Sequence, residues 1–174
     1  MFNLANSDIR KVLNQTLIML TVMASSYMSW RALGWAFNNE SPVVVVMSGS
    51  MEPAFYRGDL LFQHLDSSPL HIGEVVVFKL PGRPIPIVHR VLKLHVDAKT
   101  GEEFILTKGD NNPVNDRGLY DRGQLWLERK HIIGRIKGHL PYIGMIPVLL
   151  NDYPKLKQGI LAILAIYVFF NNDE

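Results

Sequence analysis

The chain of 174 residues has no cysteine, which excludes disulfides, thiolate metal sites and a cysteine nucleophile. Charge of one sign is not in excess either. A net charge of +2, with no basic stripe interleaved with aromatics, gives no footing for nucleic acid. The six histidines show no His-Glu-x-x-His or comparable ligand spacing, so neither a metal nor a cofactor is expected. Internal repeats and low-complexity segments are missing. So is a Gly-x-Ser-x-Gly segment, the strand-to-helix elbow of small-ester hydrolases.

What the chain does have is apolar residue, 48% of the total against 20% charged, with a mean hydropathy of +0.08. The excess lies at the two ends. Residues 12–37 carry no charge before Arg31 and match the roughly 20 residues of a spanning helix, so a transmembrane helix is expected there. Tyr27, Trp30 and Trp35 sit towards its far end like an interfacial aromatic belt. A buried helix of a soluble protein is the alternative, because Thr21, Ser25, Ser26 and Ser29 interrupt the run. Arg10 and Lys11 before the helix, against Glu40 after it, place residues 1–11 in the cytosol. The last section, 153–174, holds a shorter apolar run over 160–170, below a bilayer span. It reads as an interfacial helix or as a packing helix for partner subunits, with burial in the protein's own core as the alternative. The polar tail from Asn171 to Glu174 marks its exit into water.

Between the ends the texture changes to short β-like runs with turn punctuation. Strands are predicted over 43–47, 60–63, 74–80, 87–95, 103–108 and 132–137. Arg57-Gly58-Asp59, Pro81-Gly82, Lys99-Thr100-Gly101 and Gly109-Asp110-Asn111-Asn112-Pro113 supply the turns. The fold class is therefore mainly β. A compact antiparallel domain over 41–150 is expected, with the N-terminal transmembrane helix before it and the short C-terminal hydrophobic helix after it.

Three stretches carry chemistry. The valine run 43–46 reads as a strand buried on both faces, and it stops at the corner Met47-Ser48-Gly49-Ser50-Met51-Glu52-Pro53. A serine held on such a corner has the fixed, approachable hydroxyl that a nucleophile needs. A hydroxyl also needs a base, and Ile85-Pro86-Ile87-Val88-His89-Arg90 places one histidine in an edge-like, proline-led strand. The other histidines, His64, His71, His95, His131 and His139, sit among polar or loop-like neighbours and are expected in solvent. A third group comes from Lys108 to Arg117, where Asp110 and Asp116 are both placed to orient an imidazole. Ordinary turn capping is the competing reading for both aspartates.

Together these stretches resemble the catalytic subunits of the eukaryotic endoplasmic-reticulum signal peptidase, in the type I signal peptidase family. The likeness extends to Val75-Val76-Val77-Phe78, Asp116-Arg117-Gly118-Leu119-Tyr120, Pro141-Tyr142-Ile143-Gly144 and Asn151-Asp152-Tyr153-Pro154-Lys155, and so covers nearly the whole chain. The resemblance implies Ser50 as nucleophile rather than Ser48, and His89 as general base where bacterial relatives place a lysine. It implies Asp116 as the orienting carboxylate and Asp110 as a supporting residue, the division between the two being left open. Ser48 matches the position that offers its hydroxyl to the oxyanion beside the Ser50 backbone N–H.

The activity so implied is that of a membrane-bound serine endopeptidase. It removes N-terminal signal peptides from secretory and membrane protein precursors in the endoplasmic-reticulum lumen, through an acyl-enzyme. The implied partners are those signal peptides, other membrane subunits of a hetero-oligomeric complex, and membrane lipid. The implied placement is single-pass type II, with the catalytic domain lumenal. A membrane-anchored β module that binds or scaffolds without catalysis is the alternative, and a hydrolase of small esters a further one.

Overall fold

The computed structural model describes residues 2–171, with side chains described for 9–164 and 166–167. Two compact units meet at the bond between Pro42 and Val43. The polar tail beyond Asn171, expected in water, lies outside the described residues.

The first unit is a helix, α1, over Phe2–Ala36, reaching back through most of the polar residues expected to precede it. The described serine and threonine hydroxyls between Thr16 and Ser29 turn inward onto the helix backbone. Thr16, Thr21, Ser26 and Ser29 donate to the carbonyls four residues earlier at 2.8–2.9 Å. The transmembrane helix expected over 12–37 is not borne out: among the described residues no helix is long and apolar enough to cross a membrane. Length is ample at 35 residues, so composition decides. Asn14, Gln15 and the Ser/Thr series dilute the apolar run, and Arg10, Lys11 and Arg31 bound it closely. The single-pass type II topology loses its spanning segment with it.

The second unit is built on one antiparallel sheet of seven strands. They are β1 (Val43–Val45), β2 (Leu60–His64), β3 (Val75–Phe78), β4 (Ile87–Val96), β5 (Glu103–Lys108), β6 (Leu127–Glu128) and β7 (Ile132–Leu140). Their order across the sheet is β1-β2-β7-β3-β4-β5-β6. The middle strand is β3, and every residue of its Val-Val-Val-Phe run is buried. It anchors a core of Leu70, Val76, Phe78, Leu80, Val91, Ile105, Leu106, Tyr120, Leu127 and Ile132. The valine run of β1 was expected to be buried on both faces, but β1 lies at the sheet's edge and is half-buried. Four β-branched residues suit a strand in either setting; only the neighbours decide how much water they see.

After the sheet come α2 (Met145–Asp152) and α3 (Pro154–Asn171). The expected short apolar helix is thus part of α3, with Lys155, Leu156, Lys157 and Gln158 forming its first turns. Its described apolar side chains, among them Leu156, Ile160, Leu161, Ile163 and Leu164, are exposed, so burial in this unit's own core does not occur.

One buried carboxylate ties this architecture together. Asp59 accepts from the backbone N–H groups of Tyr56 at 2.8 Å and Tyr142 at 3.1 Å, joining the turn before β2 to the segment after β7. Arg57-Gly58-Asp59 forms the expected turn, with Gly58 at φ +91°, a left-handed conformation that suits glycine. Arg57 then reaches the Asp152 carboxylate at the end of α2, at 2.6 and 2.8 Å. Replacing Asp59 with Ala strands two backbone donors in a site that is only 3% exposed. The expected loss is about 2–4 kcal/mol of unfolding free energy, read from urea denaturation.

A second anchor sits at the other end of the β2–β7 pair. The guanidinium of Arg135, buried on β7, donates to the Ser68 hydroxyl at 3.0 Å and also to the Ser68 carbonyl. Ser68 in turn donates its hydroxyl and its N–H to Asp66, at 2.6 and 2.9 Å. These bonds hold the Asp66 carboxyl at about 2, below its usual 3.8. A carboxyl depressed in the folded state adds stability that is complete above the ordinary carboxylate range and is lost as pH falls from about 4 towards 2. Ser68→Ala should raise the Asp66 titration towards 3.8 and flatten the stability profile in that window, as followed by NMR titration and acid unfolding.

Candidate active site

The period-2 alternation of β4 sends His89 and Val91 to the core face and Arg90 to the other. Antiparallel pairing sets Val91 opposite Thr107 and Arg90 opposite Lys108 on β5. His89 and Thr107 are therefore diagonal neighbours on one buried face. Where β5 ends, the chain turns through Gly109 to Asn112 and enters a 3₁₀ turn at Asp116, with the Asn115 side chain accepting from the Arg117 N–H at 3.2 Å. That turn brings the buried Asp116 carboxylate under the imidazole.

The distances follow from this placement. His89 Nδ1 lies 2.6 Å from Asp116 Oδ2, and His89 Nε2 lies 3.1 Å from Ser50 Oγ. Ser48 Oγ is 3.2 Å from Ser50 Oγ. Phe78 packs edge-on against the imidazole, with ring centroids 6.3 Å apart, and closes its inner side. Of the expected site residues, Ser48, Ser50, His89 and Asp116 come together. Asp110 does not join them. Its carboxylate takes a two-pronged bond from Arg90, 2.9 Å from Nε and 2.7 Å from Nη2, while Arg90 Nη1 donates to the Gly73 carbonyl at 2.7 Å. The hydrogen bond to Asp110 raises the Arg90 pKa and keeps the guanidinium charged.

The corner that carries Ser50 is held by its neighbours rather than by its own flexibility. Met51, directly after the serine, is 1% exposed. Asn111 donates its backbone N–H to the Ser50 carbonyl at 2.9 Å and its side-chain amide to the Gly49 carbonyl at 3.1 Å. Beside the corner opens a cavity of about 680 Å³, walled by Val44, Val45 and Val46 on one side and Ile85 to Val88 on the other, with Ser48, Ser50 and His89 on its lining. Apolar walls with a few convergent polar groups are the usual build of a ligand-binding cleft.

This chain is 50% identical over 166 residues to the signal peptidase complex catalytic subunit SEC11C of Homo sapiens, covering 95% of this chain and 86% of that protein. Against the catalytic subunit SEC11 of Schizophyllum commune it is 47% identical over 180 residues, covering 95% and 93%. The chain belongs to the family of signal peptidase complex catalytic subunits. The sec11 subunit of Dictyostelium discoideum, 51% identical over 152 residues, covers 87% of this chain and 84% of its own length. Residues 148–170, the end of α2 and most of α3, also match the model for the signal peptidase C-terminal short helix.

Within this signal peptidase family member, sequence reasoning passed over the roles of Thr107 and Tyr120 beside the site and of His131 elsewhere in the unit. Thr107 Oγ1 donates to Asp116 Oδ2 at 2.6 Å and lies 2.9 Å from the Tyr120 hydroxyl. The available signal was a polar residue ending the run Phe104-Ile105-Leu106, on a strand otherwise filled with core side chains. Burial pushes the Tyr120 phenol above its ordinary value, against the opposing pull of its bonds with Thr107. His131, expected in solvent, is buried: its Nδ1 accepts from the Glu128 N–H at 3.1 Å and closes a capping box. The two charged residues just before it, Arg129 and Lys130, hid that role.

Gly109 marks where two backbones nearly touch. A Cβ there would lie 2.7 Å from the Ser50 carbonyl oxygen and 2.7 Å from Asn112 Nδ2. Gly109→Ala should push the 109–112 loop off the serine corner and break the Asn111-to-Ser50 bond, seen as faster amide exchange at Asn111 with the rest of the sheet unchanged.

Proposed function

We propose that this chain is the catalytic subunit of a signal peptidase: a serine endopeptidase that removes N-terminal signal peptides from secretory and membrane protein precursors at the endoplasmic reticulum. The observation that carries the reading is the alignment of Ser50 Oγ, the His89 ring and the Asp116 carboxylate, at 3.1 and 2.6 Å, at one end of an apolar cleft. The relatives' description as catalytic subunits of a signal peptidase complex supplies the substrate class.

In this scheme Ser50 Oγ attacks the scissile carbonyl carbon while His89 Nε2 takes the hydroxyl proton. Asp116 receives the Nδ1–H, keeping the lone pair on Nε2 and stabilising the cation that forms. The oxyanion takes hydrogen bonds from the Ser50 N–H and the Ser48 hydroxyl, donors worth roughly 10²–10³ each in rate. As the C–N bond breaks, His89 returns its proton to the leaving amine. Water then attacks the acyl-enzyme with His89 again as base, releasing the signal peptide and restoring the Ser50 hydroxyl. Asp110 supports the site from outside it, tying the loop after β5 to Arg90.

The substrate enters as an extended strand along the free edge of β1, its side chains alternately reaching the walls at Val44–Val46 and Ile85–Val88. Shallow apolar pockets of that kind favour small residues next to the cleaved bond. The exposed apolar side chains of α1 and of α3 suit association with other membrane subunits of a complex and with lipid at the interface.

Replacing Ser50 with Ala should abolish precursor cleavage in extracts of cells expressing the full chain, while the chain still co-purifies with its complex. Retained cleavage would falsify the assignment.

A further inference from the structure

We infer that Thr107 and Tyr120 are positioning residues for the reaction: a one-way chain of hydrogen bonds from the Tyr120 phenol through the Thr107 hydroxyl holds Asp116 as a pure acceptor aimed at His89. The inference rests on the serine-peptidase reading given above.

The direction of each bond follows from chemistry alone. The Thr107 backbone N–H donates to the Tyr120 hydroxyl oxygen at 3.1 Å, and an amide N–H has no other way to serve. At the other end, Thr107 Oγ1 stands 2.6 Å from Asp116 Oδ2. A carboxylate has no proton to give, so the threonine proton goes to it. The remaining contact, 2.9 Å between the two hydroxyls, must then carry the Tyr120 proton to Thr107 Oγ1. Each hydroxyl gives once and takes at least once, and no arrangement with the order reversed satisfies both ends.

The consequence falls on the imidazole. Asp116 Oδ2 receives two donors, the Thr107 O–H and the His89 Nδ1–H, each at 2.6 Å. With its proton committed at Nδ1, the ring presents the Nε2 lone pair to Ser50 Oγ at 3.1 Å. The relay is shut off from solvent: Thr107 is 0% exposed, Asp116 1%, His89 4% and Tyr120 7%. Water is in no position to replace a lost hydroxyl, so a gap in the relay leaves the carboxylate short of a partner and free to turn. Edge-on packing of Tyr120 against Phe78, at 6.4 Å between centroids, fixes the phenol from the core side, and Phe78 is also the ring that backs His89.

Two substitutions at Thr107 separate this role from space-filling. Thr107→Val keeps the side chain's volume and loses the hydroxyl; Thr107→Ser keeps the hydroxyl and loses a buried methyl. With the full chain assayed on a signal-peptide-bearing precursor, Thr107→Val should lower kcat by about 10- to 100-fold, part of the 10²–10⁴ carried by general-base catalysis, with KM unchanged. Thr107→Ser should stay within about threefold of the unmodified enzyme in kcat while melting at a lower temperature. The opposite order, serine worse than valine in kcat, overturns the inference, as does a Thr107→Val enzyme of full activity. If Thr107→Val does not fold, Tyr120→Phe decides. It keeps the ring in the core, so a drop in kcat at constant KM supports the relay and an unchanged kcat overturns it. Failure of the underlying reading looks different, since Ser50→Ala and His89→Ala would then still cleave. Failure of the relay alone leaves those two inactive beside a fully active Thr107→Val.

Discussion

The bond between the Asn111 N–H and the Ser50 carbonyl, 2.9 Å long, is the joint on which the site depends. The serine corner comes off β1, at the sheet's edge, and the imidazole comes from β4, with β2, β7 and β3 lying between them in the sheet. Nothing within either strand relates one to the other. The loop after β5 does, because it leaves the sheet beside His89, grips the corner through Asn111, and runs on to deliver Asp116. One loop thus sets the positions of the serine and the carboxylate together, with the histidine between them. The glycine at its start lets the backbones meet without a side chain in the way.

β4 divides its work by face. On the core side, His89 is surrounded by Phe78, Asp116 and, through the carboxylate, Thr107 and Tyr120, all removed from water. On the other side, Arg90 clamps Asp110 and the Gly73 carbonyl in a more open setting, where a two-pronged guanidinium-to-carboxylate contact is a mechanical tie. The two aspartates of one short loop therefore have different settings. Asp116 meets an imidazole in a dry pocket, whereas Asp110 meets a permanent cation near the surface. A shift of one residue in strand register would exchange the faces and lose both arrangements.

Much of this was legible in the sequence. The strands over 60–63, 87–95 and 103–108 appear within a residue of those positions, because alternation and turn residues are local signals. Ser50, His89 and Asp116 were each named from short motifs. β6 was not seen, since two residues paired to Phe104 and Ile105 have no periodicity of their own. α2 was not predicted; its Pro147 lies in the first turn of the helix, where the missing N–H costs nothing. The relay through Thr107 and Tyr120 lay beyond local reading: it depends on a side chain from β5 meeting one from a loop thirteen residues later. Charge partners were equally hidden, so Asp110 and Asp116 looked alike until Arg90 took one of them. The apolar density of 12–37 suggested a membrane span that the helix's polar content does not support.

The edge position of β1 has a consequence for self-association. An unpaired row of backbone donors and acceptors will accept any extended chain of suitable length, including the same row on a second molecule. Three residues give that row too little reach to hold a stray sheet, and the bend into the serine corner ends it abruptly. Brevity here acts as a filter. A short, loosely held peptide docks and departs, while sheet-to-sheet stacking of whole molecules finds no continuous rail to grow along.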